Sequence, residues 1–295
     1  MTLTLGRWID MDIRNNYTDL EKEQFNREMS EKLYKMYIIK NKADYCGSIQ
    51  KYECVINDER GLFKERISTQ SKDHIMEQVV YELALLLGVN CCKASCRKSN
   101  GVYGSFSRFE VIDIYNIKPF EDIMGVTELE ADELLKKAIE LNHNNINNFI
   151  IKLYQYIIFD YILGQQDRHL ENISIYMGNK KNIKLYPLYD NGLCCFASYA
   201  NDAAIECLDR GFYSSRMGFS EDIYKAICLY RNIIFKDDLR KLIKYNLLNK
   251  NRILNIIDKA DKYNQMNMKR REATANFIMR QTTDIHKLNL SIGGI

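Results

Sequence analysis

Hydrophobic periodicity changes along this chain of 295 residues, from a strand-like pattern to a helical one. Residues 51–56 and 61–67 are two short apolar runs joined by a polar turn, which predicts a β-hairpin. Residues 75–87 have the length and composition of a helix, and Gly88 is suited to end it. From about residue 128 onward, apolar positions recur at helical spacing. The change predicts an α+β protein.

Residues 101–110 have the pattern of a turn followed by a strand, and we interpret this stretch as a hinge between two lobes. The predicted N-lobe is small and β-rich, spans residues 1–110 and contains one packed helix. The predicted C-lobe is larger and mainly helical and spans residues 111–295. A chain of this length with 46% hydrophobic residues can bury a substantial core in two lobes.

The charge of the chain is nearly balanced, with 42 basic and 39 acidic residues. Such a balance creates no overall field that would attract nucleic acid or a membrane surface, so we expect neither as a direct partner. The short basic run at residues 269–271 is expected to be a solvated helix face. No apolar run approaches the ~20 residues that a membrane-spanning helix needs.

The nine cysteines lack the paired C-x-x-C spacing of a metal site, so we expect reduced and largely buried thiols. The N-terminus carries Arg7, Asp10 and Asp12, where a signal peptide would have an uninterrupted apolar core. Together these features predict a cytoplasmic protein.

Asp167 and Asn172 follow a predicted amphipathic helix that ends near Leu163, with Gly164 as its terminating residue. An aspartate five residues before an asparagine is the spacing of a kinase catalytic loop, where the aspartate polarises the attacking hydroxyl and the asparagine holds a magnesium ion. Asp and Asn are also common in ordinary loops, because they hydrogen-bond the backbone. This motif alone does not decide between the two interpretations.

Residues 173–177 and 183–189 predict a second hairpin, which would return Asp190 to the side of Asn172. A carboxylate and a carboxamide are hard oxygen ligands of the kind that Mg²⁺ accepts together with phosphate and water. The two residues together therefore predict a magnesium site. The alternative for Asp190 is a turn formed with Asn191 and Gly192.

Lys64 lies within a predicted strand, where an inward side chain could contact nucleotide phosphates and an outward one would be solvated. A buried lysine needs a carboxylate partner. Glu77 and Glu82 both fit the apolar face of the next helix, so periodicity does not choose between them. Gly47 and Ser48 form either an ordinary turn or a loop whose backbone amides approach phosphate.

The four histidines are scattered without metal-ligand spacing, so zinc chemistry is not indicated. His169 has no nearby Ser or Cys nucleophile, which argues against an acyl-transfer triad. We expect His169 to shape its loop through hydrogen bonds.

Taken together, these residues resemble those of the HipA-like serine/threonine kinases, the toxin kinases of bacterial toxin–antitoxin systems. The loop that contains Asp167, Arg168, His169 and Asn172 is more distantly similar to that of phosphatidylinositol kinases. The matches run in the same order over about residues 44–192. The matched positions are 47–51, 64, 77, 83–84, 88, 108–109, 164–172 and 187–190.

The resemblance implies a two-lobed, protein-kinase-like fold and transfer of phosphate from ATP to a protein Ser/Thr hydroxyl, with ATP and Mg²⁺ as cofactors. It implies Asp167 as the catalytic base, Asn172 and Asp190 as metal ligands, Lys64 as a phosphate contact and Glu77 as its partner. It also places Gly47 and Ser48 near the phosphates, and backbone groups around Ser107 and Phe109 against adenine. The implied partners are an unidentified protein substrate and an antitoxin-like protein.

The chain departs from the family pattern at its phosphate loop. A serine that can be autophosphorylated lies three residues before the glycine in the family, and Asp44 occupies that position here, although Ser48 lies close. We also expect the chain to lack most of the family's N-terminal subdomain. Self-inactivation at this loop and an antitoxin interface are therefore not carried over.

Two other functions are compatible with the same residues. The fold could transfer phosphate to a lipid head group or a small molecule, since neither balanced charge nor the lack of a membrane segment excludes such an acceptor. The chain could also be a non-catalytic, ATP-binding interaction module.

Overall fold

The computed structural model describes residues 36–40, 51–56, 59–99, 101–110, 117–125, 146–177, 183–211, 223–234 and 238–292, with positions 133, 136, 137 and 140. A five-stranded antiparallel sheet and one long helix come first in this part of the chain, and mainly helices follow. The α+β class predicted from the sequence is confirmed. The lobe boundary at residue 110 stays a prediction.

The strands of the first sheet are Met36–Lys40 (β1), Lys51–Ile56 (β2), Glu59–Glu65 (β3), Ala94–Ser99 (β4) and Val102–Arg108 (β5). They are arranged in the order β1-β2-β3-β5-β4. The predicted hairpin is formed by β2 and β3, although β3 begins two residues earlier than expected. The sequence does not predict β4, because its residues are mostly small or charged rather than β-branched.

Glycine allows β3 and β5 to approach each other closely. A Cβ atom on Gly61 would lie 2.3 Å from the carbonyl oxygen of Ser107, and one on Gly104 would lie 2.4 Å from that of Lys64. Real Cβ atoms do not make such contacts, so neither position accepts a side chain unless the backbone moves. The two glycines therefore help to fix the strand that carries Lys64.

Helix α1 (Asp73–Leu87) packs against β4 and β5. It begins two residues earlier than predicted and ends as predicted, because Gly88 adopts the left-handed conformation with a φ of 76°. The backbone N–H of Gly88 donates to the carbonyl oxygen of Ala84, which satisfies one of the last helical carbonyls. The helix thereby brings Glu77 to the same side of the sheet as Lys64.

The remaining helices are α2 (Phe120–Met124), α3 (Ile146–Leu163), α4 (Asn201–Arg210), α5 (Ile223–Ile234), α6 (Leu239–Leu242), α7 (Lys250–Ala260) and α8 (Met268–Ile292). Short 3-10 turns span Leu170–Asn172 and Tyr245–Leu247. From Tyr156 to Leu163, every residue of α3 is buried. A helix that is covered on all sides forms the centre of a core, and α3 provides a rigid base for the loop that follows it.

A second sheet consists of three short antiparallel strands in the order β6 (Ile117–Pro119), β7 (Ser174–Met177) and β8 (Ile183–Leu185). The predicted second hairpin is β7 and β8, although β8 ends four residues before the expected Tyr189. The sequence does not predict β6. The hairpin returns the chain past Ser174, whose carbonyl oxygen accepts a hydrogen bond from the N–H of Tyr186 at 2.8 Å.

The prediction of a solvated helix face at residues 269–271 is wrong for Arg270. This side chain is 1% exposed and donates to the carbonyl oxygens of Phe196 and Tyr199 at 3.1 and 2.8 Å. The loop before α4 has backbone oxygens that need donors, and Arg270 supplies them. Burial lowers the pKa of this guanidinium to about 10.

Two further predictions concern the cysteines and membrane-spanning helices. Every cysteine in the described part of the chain is a free thiol, and most of them are buried, as expected. Among the described residues, no helix has both the length and the apolar character that crossing a bilayer requires.

Candidate active site

A cleft of about 360 Å³ lies between the five-stranded sheet and the three-stranded sheet. Its size is within the range of pockets that bind small molecules and cofactors. One group of lining residues is apolar or aromatic and includes Leu62, Phe109, Ile117, Pro119 and Tyr186. A second group is charged or polar and includes Lys51, Lys64, Glu77, Asn172 and Asp190.

The side chain of Lys64 points into this cleft, whereas its sequence pattern allowed either an inward or an outward orientation. Lys64 and Leu62 alternate along β3 and therefore share a face of the sheet, and both line the cleft. Lys51 is the direct cross-strand partner of Lys64, so its side chain emerges on the same face. Ser107 lies opposite Leu62 on β5 and is also part of the wall.

Lys64 forms an ion pair with Asp190, and the exposed fractions of the two side chains are 10% and 25%. Burial opposes the charge on Lys64, but the carboxylates of Asp190 and Glu77 raise its pKa above the ordinary value. Burial also disfavours the charge on Asp190, but the ammonium groups of Lys64 and Lys51 lower its pKa to about 2. Both members of the ion pair are therefore charged at neutral pH.

Glu77, not Glu82, lines the cleft, as the family resemblance implied. In the described part of the chain, Lys64 forms its ion pair with Asp190 and not with Glu77. Instead, Oε2 of Glu77 accepts a hydrogen bond from the backbone N–H of Asn191 at 3.0 Å. Glu77 thus acts on Lys64 through its electric field and fixes the backbone next to Asp190.

We expect Glu77→Gln to stabilise the protein, and to do so more at pH 8 than at pH 5. Burial raises the pKa of Glu77 from 4.5 to about 7, against the attraction of Lys64. The stability that this group contributes is complete below the unfolded pKa and is lost as the pH rises through 7. Glutamine avoids that loss.

Thermal melts followed by circular dichroism check this expectation, since each kcal/mol shifts the melting temperature of a chain of this size by about 2 °C. Glu82→Gln on the same helix is the matched control, because Glu82 is only half-buried and lies outside the cleft. A gain that is equal at both pH values would contradict the assignment.

The loop after α3 is fixed by its own polar groups. Gly164 ends the helix with a φ of 57°, in the left-handed conformation. Oε1 of Gln165 then accepts from the N–H of Asp167 at 3.2 Å, and its Nε2 donates to the carbonyl oxygen of Asp190 at 3.4 Å. Gln165 is fully buried, so one rigid side chain joins the segments of Asp167 and Asp190.

The hydrogen bonds of Asn172 determine the orientation of its amide. Its Nδ2 donates to the carbonyl oxygen of Asp167 at 2.9 Å and to Nε2 of His169 at 3.0 Å. A carbonyl oxygen only accepts, so the Asp167 contact identifies the nitrogen end of the amide. His169 must then accept at Nε2 and carry its proton on Nδ1. This confirms that His169 shapes the loop, and it leaves Oδ1 as the atom that Asn172 can offer to a ligand in the cleft.

Ser107 and Phe109 line the cleft where the resemblance expects adenine. The backbone N–H groups of residues 108, 109 and 110 already donate within the protein, at 2.8, 3.1 and 3.1 Å, to Lys93, Arg60 and Tyr186. These three N–H groups are therefore not available to adenine, which restricts the backbone contacts that the resemblance implied. A base at this position would meet carbonyl oxygens and side chains rather than these three N–H groups.

Two residues at the site lie in segments that match the family but had no predicted role. Lys51 is one of them, and the register of its hairpin could have revealed it, because only residues 57 and 58 separate β2 from β3. The interpretation of residues 57–61 as the turn concealed this pairing. The second is Arg168, whose buried side chain contacts the segments of both Asn172 and Asp190. Its partners are distant in sequence, so no local pattern indicates them.

Gly47, Ser48 and Asp44 lie outside the described residues. The phosphate-loop role of the first two stays a prediction.

A further group of possible metal ligands consists of Glu121, His169 and Glu171, whose possible ligand atoms lie within 4.8 Å of one another. Glu171 also lines the cleft. Glu171 is exposed, and His169 already accepts from Asn172 through Nε2. Exposed acidic groups commonly cluster without holding an ion, so we assign no metal here.

Comparison with known proteins identifies a family and a fold. A family model described as the HipA-like C-terminal domain matches residues 20–260. A search of curated proteins gave no significant match.

Two solved structures are similar to this chain. The proinflammatory kinase CtkA of Helicobacter pylori has a TM-score of 0.68 at 14% identity, over 85% of this chain and 96% of that one. HipA of Shewanella oneidensis MR-1, solved with HipB and operator DNA, has a TM-score of 0.53 at 13% identity, over 85% of this chain and 66% of that one. At these identities the similarity shows the fold, and the predicted two-lobed, kinase-like architecture is confirmed.

Proposed function

This chain belongs to the HipA-like C-terminal domain family, and from that premise we propose that it is a kinase that transfers phosphate from ATP to a protein Ser/Thr hydroxyl. The observation that carries the proposal is the convergence of Lys64, Glu77, Asn172 and Asp190 on one cleft. Asp167 lies on the loop after α3, where its carbonyl oxygen accepts a hydrogen bond from the lining residue Asn172. These are the residue types on which phosphoryl transfer depends, since it relies on positioning and charge neutralisation.

We assign the two groups of lining residues to the two parts of the nucleotide. Leu62, Phe109 and Tyr186 supply the apolar and aromatic surface on which a base can pack. Lys51 and Lys64 present two ammonium groups from one face of the sheet, which suits a polyphosphate. Asp190 and, to a smaller extent, Glu77 keep Lys64 charged, because their carboxylates raise the pKa of the ammonium group.

Asn172 and Asp190 fit a divalent cation. Asp190 is ionised at neutral pH, and the hydrogen bonds of Asn172 reserve its Oδ1 for a ligand. A carboxylate and a carboxamide oxygen suit Mg²⁺, which takes few protein ligands and completes its shell with phosphate and water. When bound, the cation would offset the negative charge of the phosphates.

We assign Asp167 as the base that accepts a hydrogen bond from the acceptor hydroxyl. Its backbone N–H and C=O are both engaged, with Gln165 and Asn172 respectively. These bonds fix the main chain and do not use the carboxylate. Asp167 is half-buried and does not itself line the cleft, but its carbonyl oxygen is bonded to Asn172, which does. A general base needs such a fixed position within hydrogen-bonding reach of the proton it accepts.

The proposal extends to a partner and a location. HipA of Shewanella oneidensis is bound to HipB in its solved complex, so an antitoxin-like protein is the proposed partner of this chain. The free, buried cysteines fit a reducing compartment, which supports the cytoplasm as the place of action.

Labelled ATP tests the proposed acceptor. The purified protein is incubated with Mg²⁺ and ATP that carries a label in its γ-phosphate, against separate panels of proteins, lipids and small molecules. We expect label on protein, in acid-stable phosphoserine or phosphothreonine. Label that appears only on a lipid or a small molecule would show a different kinase, and nucleotide binding without transfer to any panel would show a binding module.

A further inference from the structure

Arg168 uses every hydrogen-bond donor of its side chain. Nε and Nη2 donate to the two carboxylate oxygens of Asp160 at 2.9 and 3.2 Å. Nη1 donates to the carbonyl oxygens of Asn172 and Tyr189 at 3.1 and 2.8 Å, and Nη2 also donates to Oδ1 of Asn191 at 2.5 Å. A guanidinium has five N–H groups, and these contacts account for all of them. The side chain is fully buried.

These partners belong to the segments of both proposed metal ligands. One is the carbonyl group of Asn172 itself, and two others, Tyr189 and Asn191, are the neighbours of Asp190 on either side. Asp190 has a φ of 52°, a conformation that non-glycine residues rarely adopt and that persists only when its surroundings hold it. Arg168 binds the carbonyl oxygen of the residue immediately before Asp190 and the side chain of the residue immediately after it.

Asp160 anchors Arg168 to the buried core. It lies on α3, is 1% exposed, and binds Arg168 through both carboxylate oxygens. Its charge offsets that of the guanidinium, which burial would otherwise make costly. Because α3 is the central helix of the core, its Asp160 fixes the position of the Arg168 side chain relative to the core.

We propose that Arg168 is a positioning residue which holds Asn172 and Asp190 at the spacing that a single divalent cation needs, with Asp160 as its anchor. This inference rests on the proposed function. It predicts that loss of Arg168 weakens the binding of the metal more than the binding of the nucleotide.

The test measures binding rather than activity. Mg²⁺ is titrated into the protein in the presence of a non-hydrolysable ATP analogue, and calorimetry gives the half-saturating Mg²⁺ concentration and the affinity for the analogue in EDTA. The variant is Arg168→Gln with Asp160→Asn, which removes both charges and leaves neither buried alone. We expect the half-saturating Mg²⁺ concentration to rise about tenfold or more, as is typical when a partner of a metal ligand is lost.

Arg231→Gln is the matched control, because Arg231 is 1% exposed and bonds to Asn289, away from the cleft. A purely structural effect of losing a buried arginine would appear in both variants and would also weaken binding of the analogue in EDTA. The positioning role predicts that only the Arg168 variant shifts the Mg²⁺ requirement, with its affinity in EDTA little changed.

Asn191→Ala keeps the ion pair of Arg168 and Asp160 and removes one acceptor of Arg168, so it replaces the double variant if that variant does not fold. We expect the half-saturating Mg²⁺ concentration to rise here too, but by less. An unchanged Mg²⁺ requirement in a folded variant would overturn the inference while leaving the proposed function intact. Wild-type protein whose analogue binding does not depend on Mg²⁺ would overturn both.

Discussion

Replacing Asp167 with alanine is expected to lower the rate of phosphoryl transfer by about 100-fold or more. The carboxylate is the proposed acceptor of the hydrogen bond from the substrate hydroxyl, and its removal takes away the base without touching the groups that line the cleft. The backbone N–H and C=O of residue 167 still have their partners in the variant. We therefore expect the loss in kcat, with the affinity for ATP and the melting temperature close to those of the wild type.

Steady-state kinetics with calorimetric titration of ATP separate these quantities. Asp202→Ala is the matched control, since it removes an exposed aspartate from the first turn of α4. Transfer at the wild-type rate in the Asp167→Ala variant would remove this residue from the chemistry. A large fall in ATP affinity would instead assign it to nucleotide binding.

Asp190→Asn is expected to weaken the Mg²⁺-dependent binding of ATP by roughly 100-fold or more. Loss of a residue that only orients a metal ligand typically costs about 10- to 100-fold in metal affinity, and loss of the ligand itself should cost more. The substitution keeps the shape of the side chain but removes its negative charge. It also removes the partner of Lys64. Breaking a buried ion pair typically costs about 3–5 kcal/mol. We expect less here, because Glu77 lies close enough to raise the pKa of Lys64 and can offset its charge.

The same calorimetric titration, repeated with and without Mg²⁺, measures this effect, and urea denaturation measures the stability. Glu171→Gln provides the control, because Glu171 lines the same cleft and the substitution removes one negative charge beside Asn172. If Glu171→Gln weakened the Mg²⁺-dependent binding as much as Asp190→Asn, the effect would be one of total charge rather than of a specific ligand.

The elements that local patterns describe could be predicted from the sequence. The bounds of β2, the end of α1 at Gly88 and the end of α3 before Gly164 follow from residue types and from the need for a left-handed residue after a helix. The strands β4 and β6 could not be predicted in this way. β4 is an edge strand of small and charged residues, and β6 has three residues and exists because β7 offers it a partner.

Part of the candidate site, but not its pairing, could be named from the sequence. The sequence placed Lys64, Glu77, Asn172 and Asp190 at one site, and all four line the cleft. Which carboxylate Lys64 contacts depends on a backbone geometry that no pattern gives, namely the positive φ of Asp190.

The role of Arg168 lay beyond sequence patterns for a related reason. Its partners come from positions 160, 172, 189 and 191, and only the fold brings them together around one guanidinium. A motif can indicate the residues that meet a ligand, because their types are chemically distinctive. The groups that hold those residues in place are distinguished by their surroundings.

Phosphoproteomic mass spectrometry of a cell lysate tests the central claim most directly. The lysate is supplied with ATP and Mg²⁺ and treated in parallel with the wild-type protein and with Asp167→Ala. The account predicts phosphoserine or phosphothreonine peptides that appear with the wild type and are absent with the variant. The same set of phosphopeptides in both samples, or no new phosphopeptide with the wild type, would contradict it.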